Sequence, residues 1–232
     1  MGQTTTRPAV GRARQRGEDT RLRILRTALQ VFATEGYEGA STRTLAQRAN
    51  VNLPALQYYF GNKEGLYQAV VDQISERVER RVAPVTEQIR STLANGEMSR
   101  RQALDLLCRM LDAFVALVTD QTSPDWESRA QFFARAEIEP QPALDTLHER
   151  VTRQIVTPCA VLIGRLTDQP PDAEQTLLRT VAVIGQVTVF CNRKAHQALG
   201  WEYLDDERVH AIQALVRQHT RAIFRVVKGA PP

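Results

Sequence analysis

A chain of 232 residues that is 43% hydrophobic and 24% charged has enough apolar surface to bury a core, as one large or two small domains, which excludes a disordered polymer. No apolar run reaches membrane-spanning length and residues 1–19 hold no apolar segment of a secretory signal, so neither a membrane span nor a secretory signal is expected and the cytoplasm is the expected location. The net charge of +4 is uneven: residues 1–66 carry ten Lys or Arg against five Asp or Glu, a net of +5, and the remainder twenty against twenty-one, a net of −1, which points to a polyanion-binding N-terminal end, with DNA, RNA and acidic membrane all open on charge alone.

Residues 1–19 mix Thr, Gly and Pro with Arg7, Arg12, Arg14 and Arg16 and have almost nothing to bury. They read as a disordered basic arm, either a solvated tail or a tether tracking phosphates. A first helix is expected over 20–35, where Leu25, Ala28, Leu29 and Phe32 recur at i, i+3, i+4 and i+7; Gly36 and the turn "GYEGAS" end it. Ser41 or Thr42 caps a short second helix with Leu45, Ala46 and Ala49 on its buried edge. After Asn50 and Val51 a third begins: Asn52 is a good N-cap, Pro54 is tolerated in a first turn, and Leu56 and Phe60 sit four apart on the inner face.

A helix of two turns is unstable alone and must be held by neighbours. Two short helices around a tight turn, braced by a longer one, form a helix-turn-helix, in which two turns of helix suffice to enter a major groove.

From Lys63 onward the pattern is long, amphipathic and without strand alternation. Helices are expected from 63 to about 94 with Pro84 kinking or splitting the segment, then near 99–120, 125–138, 141–166 with a bend at Pro158, 172–198 and 205–227. The fold class is therefore all-α. It divides into the arm at 1–19, a three-helix DNA-binding domain at 20–66 and a larger helical ligand-binding and dimerisation domain at 67–232.

Residues 20–70 resemble the tetracycline-repressor (TetR) family of transcription regulators. The resemblance rests on a long helix closed by "EGYEGAS", then "TRTLAQRANV", then "LQYYFGNKEGLY" with its Tyr-Tyr, Phe and Lys-Glu. Where the family usually has Ala-Gly-Val in the turn this chain has Ala49, Asn50 and Val51, and Asn is the non-Gly residue best suited to a left-handed turn. Where a Tyr is common it has Gln57, which exchanges a phosphate contact for a base or water-mediated one. The segment "FFARAEIEPQPAL" also resembles the C-terminal domain of the family's CecR-like branch.

The resemblance implies a DNA-binding regulator, most often a repressor that binds a palindromic operator as a homodimer and is released by a small-molecule effector. The alternative is a ligand-independent architectural DNA-binding protein. Resemblance and geometry together place Thr42 on phosphate and Arg43 near a phosphate or base edge. Asn52, Leu53, Pro54, Ala55, Gln57 and Tyr58 would line the groove side of the third helix. Leu53 and Pro54 offer apolar contact only, whereas Gln57 can pair with adenine. Lys63, in the first turn of the fourth helix, suits a phosphate. Tyr59 is equally consistent with core packing.

The last two helices carry more apolar surface than one small bundle needs. Val181 and Ile184 on the first, and Val209, Ile212, Val216 and Ile223 at steps of three and four on the second, fit either an internal core or a twofold four-helix interface, and the homodimer favours the interface. An effector cavity would draw its walls from Cys108, Leu111, Phe114, Trp126, Phe132, Phe133 and Phe190 and its polar groups from Arg129, Arg135, Gln186 and Asn192.

No enzyme is expected, because no Gly-rich phosphate loop, His-Glu-x-x-His or nucleophile elbow occurs. Cys191 and His196 are five apart, about 140° out of register on a helix, so no metal pair forms there. No cofactor is implied. Cys108, Cys159 and Cys191 are odd in number and apolar in setting, which predicts reduced core thiols.

Overall fold

Caps decide where the short helices begin. In the computed structural model the Ser41 hydroxyl accepts the Thr44 N–H at 3.0 Å and Asn52 Oδ1 accepts the Ala55 N–H at 2.9 Å, so α2 (Thr42–Arg48) and α3 (Leu53–Phe60) start where the sequence places them. The structure describes residues 9–226 apart from 97, 122, 137–141 and 192. Residues 1–8 of the expected arm and the pocket candidate Asn192 therefore lie outside the described residues. Every regular element among the described residues is helical, as expected for an all-α chain.

The first helix, α1 (Ala9–Gly39), begins earlier than the sequence pattern predicts and takes in residues 9–19 of the expected arm. Arg and Gln are good helix formers, and Gln15 bonds Asp19 one turn on at 3.2 Å, which favours a helix here. The helical path breaks at Gly36, whose φ of 75° is open to glycine at little cost. The long α4 (Lys63–Ala94) continues through Pro84 as one helix rather than two, with Val82, Val85 and Ile89 buried on either side of the exposed proline.

Further on come α5 (Arg100–Val118), α6 (Trp126–Ala136) and α7 (Pro142–Val151). The bend expected at Pro158 is a widened π-helical turn, Thr152–Val156, in which the Thr157 N–H reaches back to the Thr152 carbonyl before α8 (Thr157–Thr167) resumes. The segment expected as one helix over 172–198 is α9 (Glu174–Thr188), a 3-10 turn at Val189–Cys191 and α10 (Arg193–Ala198); α11 (Asp206–Val226) closes the fold.

The chain divides into two compact units. One holds the residues up to Gln73 together with Glu127–Leu144, the other Ile74–Trp126 and the residues from Asp145 onward. The division between these compact units falls inside α4, and most of α6 groups with the N-terminal helices. In the second unit α5 packs against α8, α9 and α11, burying Leu107, Met110, Leu111 and Val115 with Leu162, Ile163 and Phe224.

The same core corrects the expected dimer surface. Ile212 and Val216 are each 2% exposed and belong to the interior of the subunit, while Val209 and Ile184 pack against it half-buried. Their three-and-four spacing marks the inner stripe of α11 and says nothing of a second chain. Outside that stripe, Val181 is 65% and Ile223 42% exposed.

Candidate nucleic-acid interface

Only Leu56 of α3 is fully buried, and it pins the helix from one side. Pro54, Gln57 and Tyr58 stand on the opposite side, all exposed, with Leu53 and Ala55 half-buried at the near end. Tyr58 is 85% exposed, a large aromatic left in water. Its neighbour Tyr59 is half-buried and meets the Tyr58 ring edge-on at 5.3 Å. Arg43 on α2 is exposed and Thr42 half-buried at the helix start. Asn52 uses its carbonyl oxygen for the cap, which leaves its amide N–H groups to face outward.

The two short helices are clamped by Arg23 and Arg48, whose partners lie far from them in sequence. Arg23 Nε on α1 donates to the Ala49 carbonyl at 3.0 Å, and Arg48 pairs with Glu35 at 2.6 Å. Between α2 and α3, Asn50 takes a φ of 50°, the left-handed conformation its side chain tolerates. At the junction of α3 and α4 a Cβ on Gly65 would lie 2.2 Å from the Phe60 carbonyl oxygen, so only glycine lets the two helices meet this closely. The Arg21 guanidinium lies 5.6 Å from the centre of the Phe60 ring.

Lys63 occupies the first turn of α4, but its ammonium is not simply displayed. It donates to the Tyr37 carbonyl at 2.9 Å and lies 4.3 Å from the centre of the Tyr37 ring. Burial first, then the carboxylates of Glu64 and Glu38, raises the Tyr37 phenol above its ordinary range, so the ring stays neutral at physiological pH. An ammonium has three donors, and two remain for another acceptor.

Two family models match this chain. The model for bacterial regulatory proteins of the tetR family covers residues 24–70, and the model for the C-terminal domain of the HTH-type transcriptional dual regulator CecR covers residues 103–226, more than half of the sequence. The chain belongs to the CecR-like branch of the TetR family. It is 27% identical to the HTH-type transcriptional dual regulator CecR of Shigella flexneri over 90% of this chain and 93% of that one. It is 32% identical to the HTH-type transcriptional repressor AcnR of Corynebacterium diphtheriae over 69% of this chain and 76% of that one. A TetR-like transcriptional regulator from Rhodococcus sp. RHA1 has the same fold, with a TM-score of 0.60 at 19% identity over 91% of this chain and 97% of that one. The relatives are transcription regulators and not enzymes, and the class of this chain is that of TetR-family DNA-binding regulators.

The candidates for an effector cavity in this TetR-family chain are distributed over both units. Arg129, Phe132, Phe133 and Arg135 fall in the first unit and the remaining described candidates in the second. Phe132 is buried against the Tyr67 ring at 5.3 Å, and Phe133 is exposed. Arg135 caps α1, donating to the carbonyls of Ala33 at 2.9 Å and Thr34 at 2.7 Å. In the second unit Cys108 and Leu111 are fully buried, and Phe114 and Phe190 pack on the core. Gln186 joins α9 to α11 through the Thr220 hydroxyl at 3.2 Å, and the Trp126 indole N–H is held by the Val118 carbonyl at 2.9 Å. These half-buried polar groups each hold a backbone carbonyl or a neighbouring hydroxyl.

Among the described residues no group of His, Cys, Asp and Glu could hold a metal ion, and no helix is long and apolar enough to cross a membrane.

Proposed function

We propose that the protein is a ligand-responsive transcription regulator that binds a palindromic DNA operator as a homodimer and represses until a small molecule releases it. The observation that carries the DNA reading is Tyr58, 85% exposed on a helix that a single buried leucine anchors. An aromatic of that size left in solvent beside exposed Gln57 and Pro54 has no role in folding and suits a duplex surface. In this reading Gln57 contacts a base, Leu53, Pro54 and Ala55 give apolar contact to a thymine methyl, and Asn52 and Tyr58 flank them. Thr42, Arg43 and Lys63 engage phosphates.

The homodimer is supported by the outer face of α9 and α11, where Leu178, Val181, Leu215 and Ile223 are exposed and a Cβ at Gly185 would meet nothing within 4 Å. That opening lets a second helix approach closely. The two α3 helices of such a dimer would need to lie about 34 Å apart to enter successive major grooves. Repression is supported by the likeness to AcnR, a transcriptional repressor.

Fluorescence anisotropy with inverted repeats from the DNA flanking the coding sequence, against random duplex of the same length, tests the reading. Salt-dependent binding with at least a thousandfold preference for one repeat is expected. Equal affinity for all duplexes would leave an architectural DNA-binding protein.

A further inference from the structure

On α4 the side chains of Arg77, Arg80 and Arg81 fall at i, i+3 and i+4 and share one face. Together with Ala116, Leu117 and Asp120 at the end of α5 they line a cavity of about 390 Å³ within the second unit. That volume is in the range of small-molecule sites. None of the residues expected to bind an effector lines it.

The charge of this cavity is not balanced from within. Arg77 pairs with Asp120, but its Nε atom is buried with no hydrogen-bond partner. Arg80 bonds only the Glu76 carbonyl, at 3.3 Å, and neither Arg80 nor Arg81 forms an ion pair among the described residues. Three guanidiniums against one carboxylate leave a net of +2 on one helical face, where like charges destabilise one another. The Ala116 and Leu117 side chains, with the aliphatic stems of the arginines, supply an apolar floor.

We propose that this cavity binds a small amphiphilic anion, its carboxylate or phosphate head held by the exposed Arg80 and Arg81 and its short apolar tail laid on Ala116 and Leu117. The inference rests on the ligand-responsive reading above and names the class of its effector. α4 is the helix that starts at Lys63, and Arg77 stands fourteen residues along it. A ligand that draws Arg80 and Arg81 together alters that helix directly.

Calorimetry on the full chain without DNA decides the matter, using octanoate and octyl phosphate as the two head groups, octanamide as the neutral control and inorganic phosphate as the tailless one. At least one amphiphilic anion is expected to bind with a Kd below about 1 mM, with octanamide and inorganic phosphate about tenfold weaker or worse. The double variant Arg80→Gln, Arg81→Gln, at two exposed positions, is expected to lose about tenfold in that affinity with an unchanged melting temperature. Equal binding of octanamide or of inorganic phosphate, an unaffected double variant, or no binding of either anion overturns the site. So does a double variant that loses only DNA affinity, which would make the arginines a phosphate-backbone contact. Anion binding that leaves operator affinity unchanged would sink the switch and keep the site, whereas operator release by a molecule that binds parent and double variant alike would do the reverse.

Discussion

Lys63 and Tyr37, 26 residues apart, hold each other twice: the ammonium donates to the tyrosine carbonyl at 2.9 Å and rests 4.3 Å from the centre of its ring. The lysine that suits a phosphate by sequence is thus also a brace between the end of α1 and the start of α4. Lys63→Met is expected to lower unfolding free energy by about 1.5 to 3 kcal/mol, the range for a hydrogen bond to a charged group. It should also weaken operator and random DNA alike, flattening the salt slope by about one per subunit. Urea denaturation and a salt titration measure the two effects separately, and unchanged stability would reduce Lys63 to a phosphate contact.

Gln57 and Tyr58 divide reading from folding. Gln57→Ala is expected to cost about 1 to 3 kcal/mol on the operator and little on random duplex. Tyr58→Ala should leave the melting temperature within a degree or two of the parent, since the side chain buries almost nothing, while weakening DNA binding. Anisotropy on both duplexes settles Gln57, and equal losses on the two would assign it to phosphate.

On the C-terminal helices, Val181 and Val216 should respond in opposite ways. Val181→Arg, at 65% exposure, is expected to keep the subunit folded and split the dimer by burying an unpaired charge at the interface. Val216→Ala, at 2% exposure, should leave the dimer intact and cost about 2 kcal/mol of stability. Light scattering reads the first against the 26.1 kDa mass of one chain. A monomeric parent protein at micromolar concentration would remove the interface altogether.

The cysteines should be inert. Burial pushes the Cys159 thiol up to about 12 and Cys191 up to about 11, and raises Cys108 as well. Because the thiolate is the reactive form, at pH 8 Cys191 should react about a hundredfold more slowly than a free thiol and Cys159 slower still. Ellman's reagent is expected to find none of the three thiols quickly in the native protein and all three in guanidinium. Reactivity should rise with pH towards 11 as Cys191 ionises.

Features carried by neighbouring residues were legible in the sequence. Ser41 and Asn52 cap helices through bonds that reach three residues ahead, and the positive φ of Asn50 follows from its own side chain. Contacts between distant residues were not. Nothing local to Arg135 says that it will cap α1, about a hundred residues upstream, instead of lining a cavity. Ile212 and Val216 show a subtler limit: helical spacing reports that a stripe is buried, and a subunit's own core and a partner's surface produce the same stripe. The start of α1 at Ala9 lies more than a turn before the point where the apolar repeat at Leu25, Ala28, Leu29 and Phe32 would place it, because helix propensity leaves no periodic mark in a sequence.

The exposure of Pro54, Gln57 and Tyr58 on the side of α3 away from buried Leu56 bears on how such a chain diverges. Residues 54, 57 and 58 can be exchanged with almost no penalty to folding, so a lineage can drift from one genomic address to another while its scaffold stays put. The same separation makes these three codons the natural place to randomise when a regulator of this build is retargeted by selection, with Leu56, Gly65 and Asn50 left untouched.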